Sequence, residues 1–269
     1  MTEQDPSTQS GPRTDDDPGL PFPTVREVSL AAPFRWIARG VADLRAAPGP
    51  SLFYGLCFAA MGVLTVLMFL HAYEYVAALF SGFLLVGPLF AMGLYELSRR
   101  RERGEPCALG PTLTVWRRNM SNIGVFAVVL GVVLLVWARA SMVVFALFYT
   151  DEMPSLDSLL EQIRTLSNLE FLGAYLGVGL VFATIAFAAS VVSVPLMLDR
   201  NQDAITSMLA SFGALLNNPG PMLVWAALIV VLTAIGFATF NLGLVVLMPI
   251  IGHATWHAYR DLIEPLPPR

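Results

Sequence analysis

Long, continuous apolar runs separated by short polar links dominate the chain. Runs longer than ~18 apolar residues predict membrane-spanning helices. A membrane β-barrel would instead need segments of ~10 residues alternating apolar and polar. The pattern predicts six spans, over residues 51–71, 76–97, 122–148, 171–198, 219–240 and 242–259. Between them lie amphipathic stretches at helical spacing. In "APFRWIARGVADLRAA", Phe34, Ile37, Val41 and Leu44 recur every three or four residues, with Arg35, Arg39 and Asp43 between them. That spacing predicts a helix lying on the membrane surface. Shorter helices of the same kind are expected over 156–166 and 205–216.

The runs also begin alike. "APGPSLFYG" at 47–55 is echoed by "NPGPMLVWA" at 218–226. Proline has no N–H to donate and suits the first turn of a helix, so each Pro-Gly-Pro ends a surface helix and opens a span. Beyond these entrances Pro88 aligns with Pro249, Tyr95 with Trp256, Glu96 with His257, and Arg99 with Arg260. Pro195 falls at the same place in a more divergent middle unit. A pattern recurring in this way predicts an internal repeat. The expected fold is therefore an all-α membrane protein: six transmembrane helices in three parallel two-span units, each preceded by an interfacial or link segment.

Composition adds orientation. The chain has 269 residues, 56% hydrophobic and 13% charged, and all sixteen basic residues are arginine. Arg26, Arg35, Arg39, Arg45, Arg99, Arg100, Arg101, Arg103, Arg117, Arg118, Arg200, Arg260 and Arg269 fall in links on one side. Arg164 alone falls in the acidic link on the other. Arginine-rich short loops stay cytoplasmic, so both termini are expected inside a bacterial inner membrane and residues 151–170 outside. Residues 1–23, acidic and rich in Pro and Gly, lack the apolar content to fold and are expected to form a disordered tail. Residues 24–264 form the membrane domain and 265–269 a C-terminal tail. Cys57 and Cys107 lie far apart in this topology, so no disulfide is expected.

"PLFAMGLYELSRRRERGE" and "MPIIGHATWHAYRDLIE" resemble signatures of an uncharacterised family of multi-pass integral membrane proteins found chiefly in proteobacteria. The resemblance extends over residues ~24–264. It implies an inner-membrane location and no established activity, and it carries no catalytic residues to this chain.

The candidate chemistry is sparse. His253 and His257, one helical turn apart, share a face. Two ligands alone do not make a metal or haem site, so no cofactor is predicted, with haem or metal at this pair kept as the alternative. Glu96 occupies the position equivalent to His257. Arg139 lies inside the third span, where an ionised group is costly and marks a candidate polar site; Glu74 is its expected partner. Gly173 and Gly177 form a GxxxG pattern suited to helix contact. The chain lacks nucleotide-binding and hydrolase fingerprints in a suitable context. The best reading is a non-enzymatic scaffold, assembly helper or accessory subunit, with membrane lipids and other inner-membrane proteins as partners and no nucleic acid. The alternatives are a small transporter or channel and, third, a haem or metal protein.

Overall fold

The computed structural model describes residues 22–71, 90–149, 161, 162, 164, 165 and 167–265. In chain order the helices are α1 (Ala32–Ala46), α2 (Pro48–His71), α3 (90–102), α4 (Leu109–Thr112), α5 (Met120–Phe148), α6 (Leu169–Ser190), α7 (Ser193–Arg200), α8 (Ala204–Asn217), α9 (Pro219–Ala238) and α10 (Leu244–Leu262). A 3-10 segment, Val115–Asn119, leads into α5. Among the described residues, β pairing is confined to a single bridge between Val25 and Ile263.

Four stretches of the described residues are long and apolar enough to cross a membrane: Pro48–Leu67, Leu109–Phe148, Leu169–Arg200 and Pro219–Ala238. They correspond to the first, third, fourth and fifth predicted spans. Most of the second, with Glu74 and Pro88, lies outside the described residues, as do nearly all of the N-terminal tail and most of the predicted 156–166 helix. Predicted span six is α10, which is not among the four. Its C-terminal half carries His253, Thr255, His257, Arg260 and Asp261, and nearly all of it is buried in protein. The chain is thus an integral membrane protein with at least four apolar helices of spanning length and a buried amphipathic helix beside them.

Both Pro-Gly-Pro entrances take one local conformation. Ala47, between α1 and α2, has φ −135°, ψ 62°; Asn218, between α8 and α9, has φ −131°, ψ 51°. In each case the linking residue's N–H closes on the carbonyl four residues back, Asp43 or Ala214. Its own carbonyl then accepts from Ser51 or Met222, opening the next helix. Pro48 and Pro219 are the first residues of α2 and α9, where a missing N–H costs nothing.

The surface helix α1 also presents a second face, toward the protein, that its apolar spacing does not mark. Its protein-facing stripe is Ala32, Trp36, Gly40 and Asp43. Phe34 is 58% exposed, and Ile37, Val41 and Leu44 are partly so. The regularly spaced apolar residues therefore form a lateral face suited to lipid, while Ala32, Gly40, one tryptophan and one carboxylate meet the protein. α8 is built the same way. Ser207, Ala210, Ser211 and Ala214 are buried, whereas Ile205, Leu209 and Leu216 are exposed.

Glycines set the closest approaches. A Cβ on Gly55 of α2 would lie 1.9 Å from the Val245 carbonyl oxygen of α10. Pro249 cannot donate to that carbonyl, and the bare glycine backbone packs against the site where the helix bond is missing. Gly62 meets Asn241 and Leu244, Gly252 meets Leu94, and Gly40 meets Ile250 and Ala254. The pairings Ser51–His253, Gly55–Val245 and Gly62–Asn241 make α2 and α10 antiparallel. Gly173 and Gly177 have open space around them, so the predicted GxxxG makes no such contact among the described residues.

The fourth predicted span is interrupted at Val191 and Val192. Pro195 leaves the Val191 carbonyl without its helical donor. Serines brace the break: the Val192 N–H donates to Ser211 Oγ of α8, and Ser193 Oγ donates to the carbonyls of Ala189 and Ser207. Broken backbone at membrane depth persists only where such partners exist.

α5 and α6 form a hairpin joined at its far end by packed rings of Phe145, Tyr149, Phe171 and Tyr175. Little of the apolar stretch Leu109–Phe148 is buried in protein. The tightest core instead gathers at the arginine-rich end, around Trp36, Met197, Trp225, Trp256 and Tyr259.

Candidate functional site

At that end α1, α2, α3 and α10 converge on Asp43. The acidic residue sits three positions after Gly40, and Gly40 lets α1 press onto the α10 backbone, which carries Asp43 inward. Its Oδ2 accepts from Ser98 Oγ at 2.5 Å and from His257 Nε2 at 2.9 Å. Its Oδ1 accepts from the Arg101 guanidinium. Because Ser98 donates to the carboxylate, it must accept from His253 Nδ1, 2.8 Å away. His253 Nε2 then accepts from the Ser51 hydroxyl at 2.9 Å. The result is a directed chain, Ser51 to His253 to Ser98 to Asp43, with His257 and Arg101 closing on the same carboxylate.

Asp43, Ser51, Ser98, His253 and His257 are all buried. Burial alone would raise the Asp43 carboxyl. Hydrogen bonds from His257 and Ser98, with the charge of His257, outweigh it and hold the group down at about 2.

A second carboxylate lies beside this chain. Fully buried Glu96 accepts from Arg99 Nε at 2.8 Å, Arg100 Nε at 3.1 Å and Arg118 Nη1 at 3.3 Å. A third, Asp199 of α7, accepts from the Tyr259 hydroxyl at 2.8 Å and lies 3.6 Å from Arg260 and 3.7 Å from Arg103. Arg260 also pairs with Glu102 at 3.2 Å. These carboxylates, from α1, α3 and α7, tie the arginine-rich links to the helix ends.

The structure thus brings His253 and His257 together through Asp43, and it places Glu96 in a separate arginine cluster. Arg139 is exposed on α5, and no ion pair or hydrogen bond of its side chain is present among the described residues. Its expected partner Glu74 lies outside them. Both nitrogens of His253 are engaged within the protein, and among the described residues no group of three or more His, Cys, Asp or Glu is arranged to hold a metal ion. Cys57 and Cys107 are free. An apolar cavity of about 440 Å³ lies between α5 and α6, lined by Leu130, Leu134, Trp137 and Phe182 and remote from the polar cluster.

Sequence reasoning missed Asp43, Ser51, Ser98 and Asp199. One signal was present: Asp43 lies seven residues after Trp36 and three after Gly40, on the same face. It was masked by the more regular Phe34–Leu44 stripe.

Comparison with known proteins bears on the middle of the chain. Neither curated proteins nor solved structures yield a match. A family model described as "Predicted integral membrane protein (DUF2189)" matches residues 76–199. That is narrower than the ~24–264 expected from the sequence signatures. The matched part contains Glu96, Ser98, Arg101 and Asp199, while Asp43, Ser51, His253 and His257 lie outside it. Over residues 76–199 the chain is therefore similar to a family of integral membrane proteins of unknown function.

Proposed function

We propose that the protein is a non-enzymatic scaffold or accessory subunit of the bacterial inner membrane. One observation carries this reading: the buried polar chain is closed on itself. Asp43, Ser51, Ser98 and His253 spend their hydrogen bonds on one another and on His257 and Arg101. A substrate or ion site keeps donors, acceptors or coordination positions available. A closed network fixes the helices that carry it. Here it fastens α1 across α2, α3 and α10, so that a rigid platform presents α1 at the membrane interface. Mild-detergent affinity purification should recover the protein with at least one stoichiometric partner, identified by mass spectrometry. Recovery of the folded chain alone, at stoichiometry and under several mild detergents, would overturn the reading.

The same reading includes six spans in three parallel units, with both termini cytoplasmic. Its support is the shared conformation at the two Pro-Gly-Pro entrances and the gathering of Arg26, Arg39, Arg101, Arg103, Arg200 and Arg260 at one end. Reporter fusions after Asp157 and Asp261 should report outside and inside, respectively. An inside signal at Asp157 refutes the arrangement.

A further inference from the structure

We propose that the crevice between Arg26, Arg35 and Arg39 holds the phosphate of an anionic phospholipid, with the lipid's acyl chains against Leu30 and Phe34. The crevice is open, about 350 Å³, and is lined by these arginines with Glu27, Val28, Ser29 and Asp261. Its walls are fixed before any ligand arrives. The Arg26 N–H donates to the Leu262 carbonyl, and Glu264 N–H to that of Thr24, which pins this segment to the end of α10. Asn218 takes the Val28 N–H at 2.8 Å and gives its amide to the Arg26 carbonyl at 3.1 Å.

The guanidiniums are oriented as well. Arg26 donates to the Arg260 carbonyl at 2.6 Å, Arg35 to Ser29 Oγ at 3.0 Å and Arg39 to Asp261 Oδ1 at 2.9 Å. A guanidinium has five N–H donors, so each of these bonds leaves others for an anion. Asp261 is further committed to Trp36 Nε1 at 2.8 Å. Three guanidiniums against the Glu27 and Asp261 carboxylates leave one net positive charge, which matches the single negative charge of a phosphodiester.

The crevice also lies at headgroup depth. Asn218 immediately precedes Pro219, the first residue of the apolar helix α9, and Leu30 lies over Gly220 in its first turn. Leu30 and Phe34, 61% and 58% exposed, flank the arginines. Exposed apolar side chains beside a basic pocket where a span begins fit a phospholipid, since free phosphate would gain nothing from them. The inference needs only a membrane location and stands whether or not the protein is a scaffold.

The test uses the full chain purified in detergent and titrated with phosphatidylglycerol, phosphatidylcholine or inorganic phosphate, with bound lipid read by native mass spectrometry. Wild type should bind phosphatidylglycerol in preference to phosphatidylcholine, and excess inorganic phosphate should not displace it. Arg35→Gln, whose only described bond is to Ser29, should weaken that binding about fivefold, the value of one interfacial arginine, with unchanged thermal stability. Arg117→Gln, an exposed arginine resting on Trp116 elsewhere, should bind as wild type does. Equal losses in the two variants, no preference for phosphatidylglycerol, or displacement by inorganic phosphate would each overturn the assignment.

Discussion

Asp43→Asn will lower the stability of the protein by about 2–4 kcal/mol, read as an earlier thermal unfolding midpoint in detergent. The substitution keeps the side-chain volume but removes the charge on which Ser98, His257 and Arg101 converge. Its amide nitrogen cannot accept, so at least one of the three donors is left facing another donor. Losing one partner of a buried ion pair costs ~3–5 kcal/mol. Arg101 is 41% exposed and can rehydrate, which shifts the expected loss about 1 kcal/mol below that range. Ser98→Ala should cost about 1–3 kcal/mol, because it leaves the buried His253 Nδ1–H without its acceptor. A wild-type midpoint in Asp43→Asn would show that the chain does not fasten α1.

The same carboxylate sets a pH dependence. Its pKa is about 2 in the folded protein against an ordinary value of 3.8. A depressed carboxylate stabilises the fold above its unfolded pKa and loses that contribution as pH falls through the folded one. Wild type should therefore lose stability, of order 2 kcal/mol, between pH 4 and pH 2. Asp43→Asn should lack that component, so the gap between the two narrows as the solution is acidified. A constant gap over this window would exclude a carboxylate held ionised by its neighbours.

Gly55→Ala will be as damaging, for a steric reason. The added methyl would sit 1.9 Å from the Val245 carbonyl oxygen and 2.7 Å from its carbon. Both are backbone atoms, which cannot rotate aside, so α2 must back away from α10. That movement would also stretch the Ser51–His253 bond one turn below. A loss of about 3 kcal/mol or more is expected, at the upper end of overpacking effects. Gly173→Ala provides the contrast. It has open space around it, so the change should be neutral or stabilise α6 by up to ~1 kcal/mol through helix propensity. Equal midpoints for the two variants would contradict the described α2–α10 packing.

Much of the helical framework was legible in the sequence. Apolar runs of spanning length and proline at helix starts are local properties, and α2, α5 and α9 begin within a few residues of the positions they imply. The arginines divide between links by local rules too. The fourth span was less legible, because a proline predicts a bend but not its form: the break at Val191–Val192 depends on serines reaching in from α8. The site was least legible. His253 and His257 were visible as a pair at helical spacing, but the carboxylate that joins them comes from a helix more than 200 residues earlier.

The sequence by itself determined that this is a helical membrane protein, where its apolar helices begin, and which links carry its arginines. Those follow from hydropathy, backbone chemistry and charge, each acting over a few neighbouring residues. Only the tertiary structure decided which face of α1 meets the protein, which glycines bring helices into backbone contact, and that Asp43 rather than Glu96 partners the histidines. Each of these outcomes depends on which surfaces meet. A regular apolar stripe is equally suited to lipid and to protein, and here the small residues around Gly40 let α1 approach α10 closely enough to deliver a buried carboxylate to its donors.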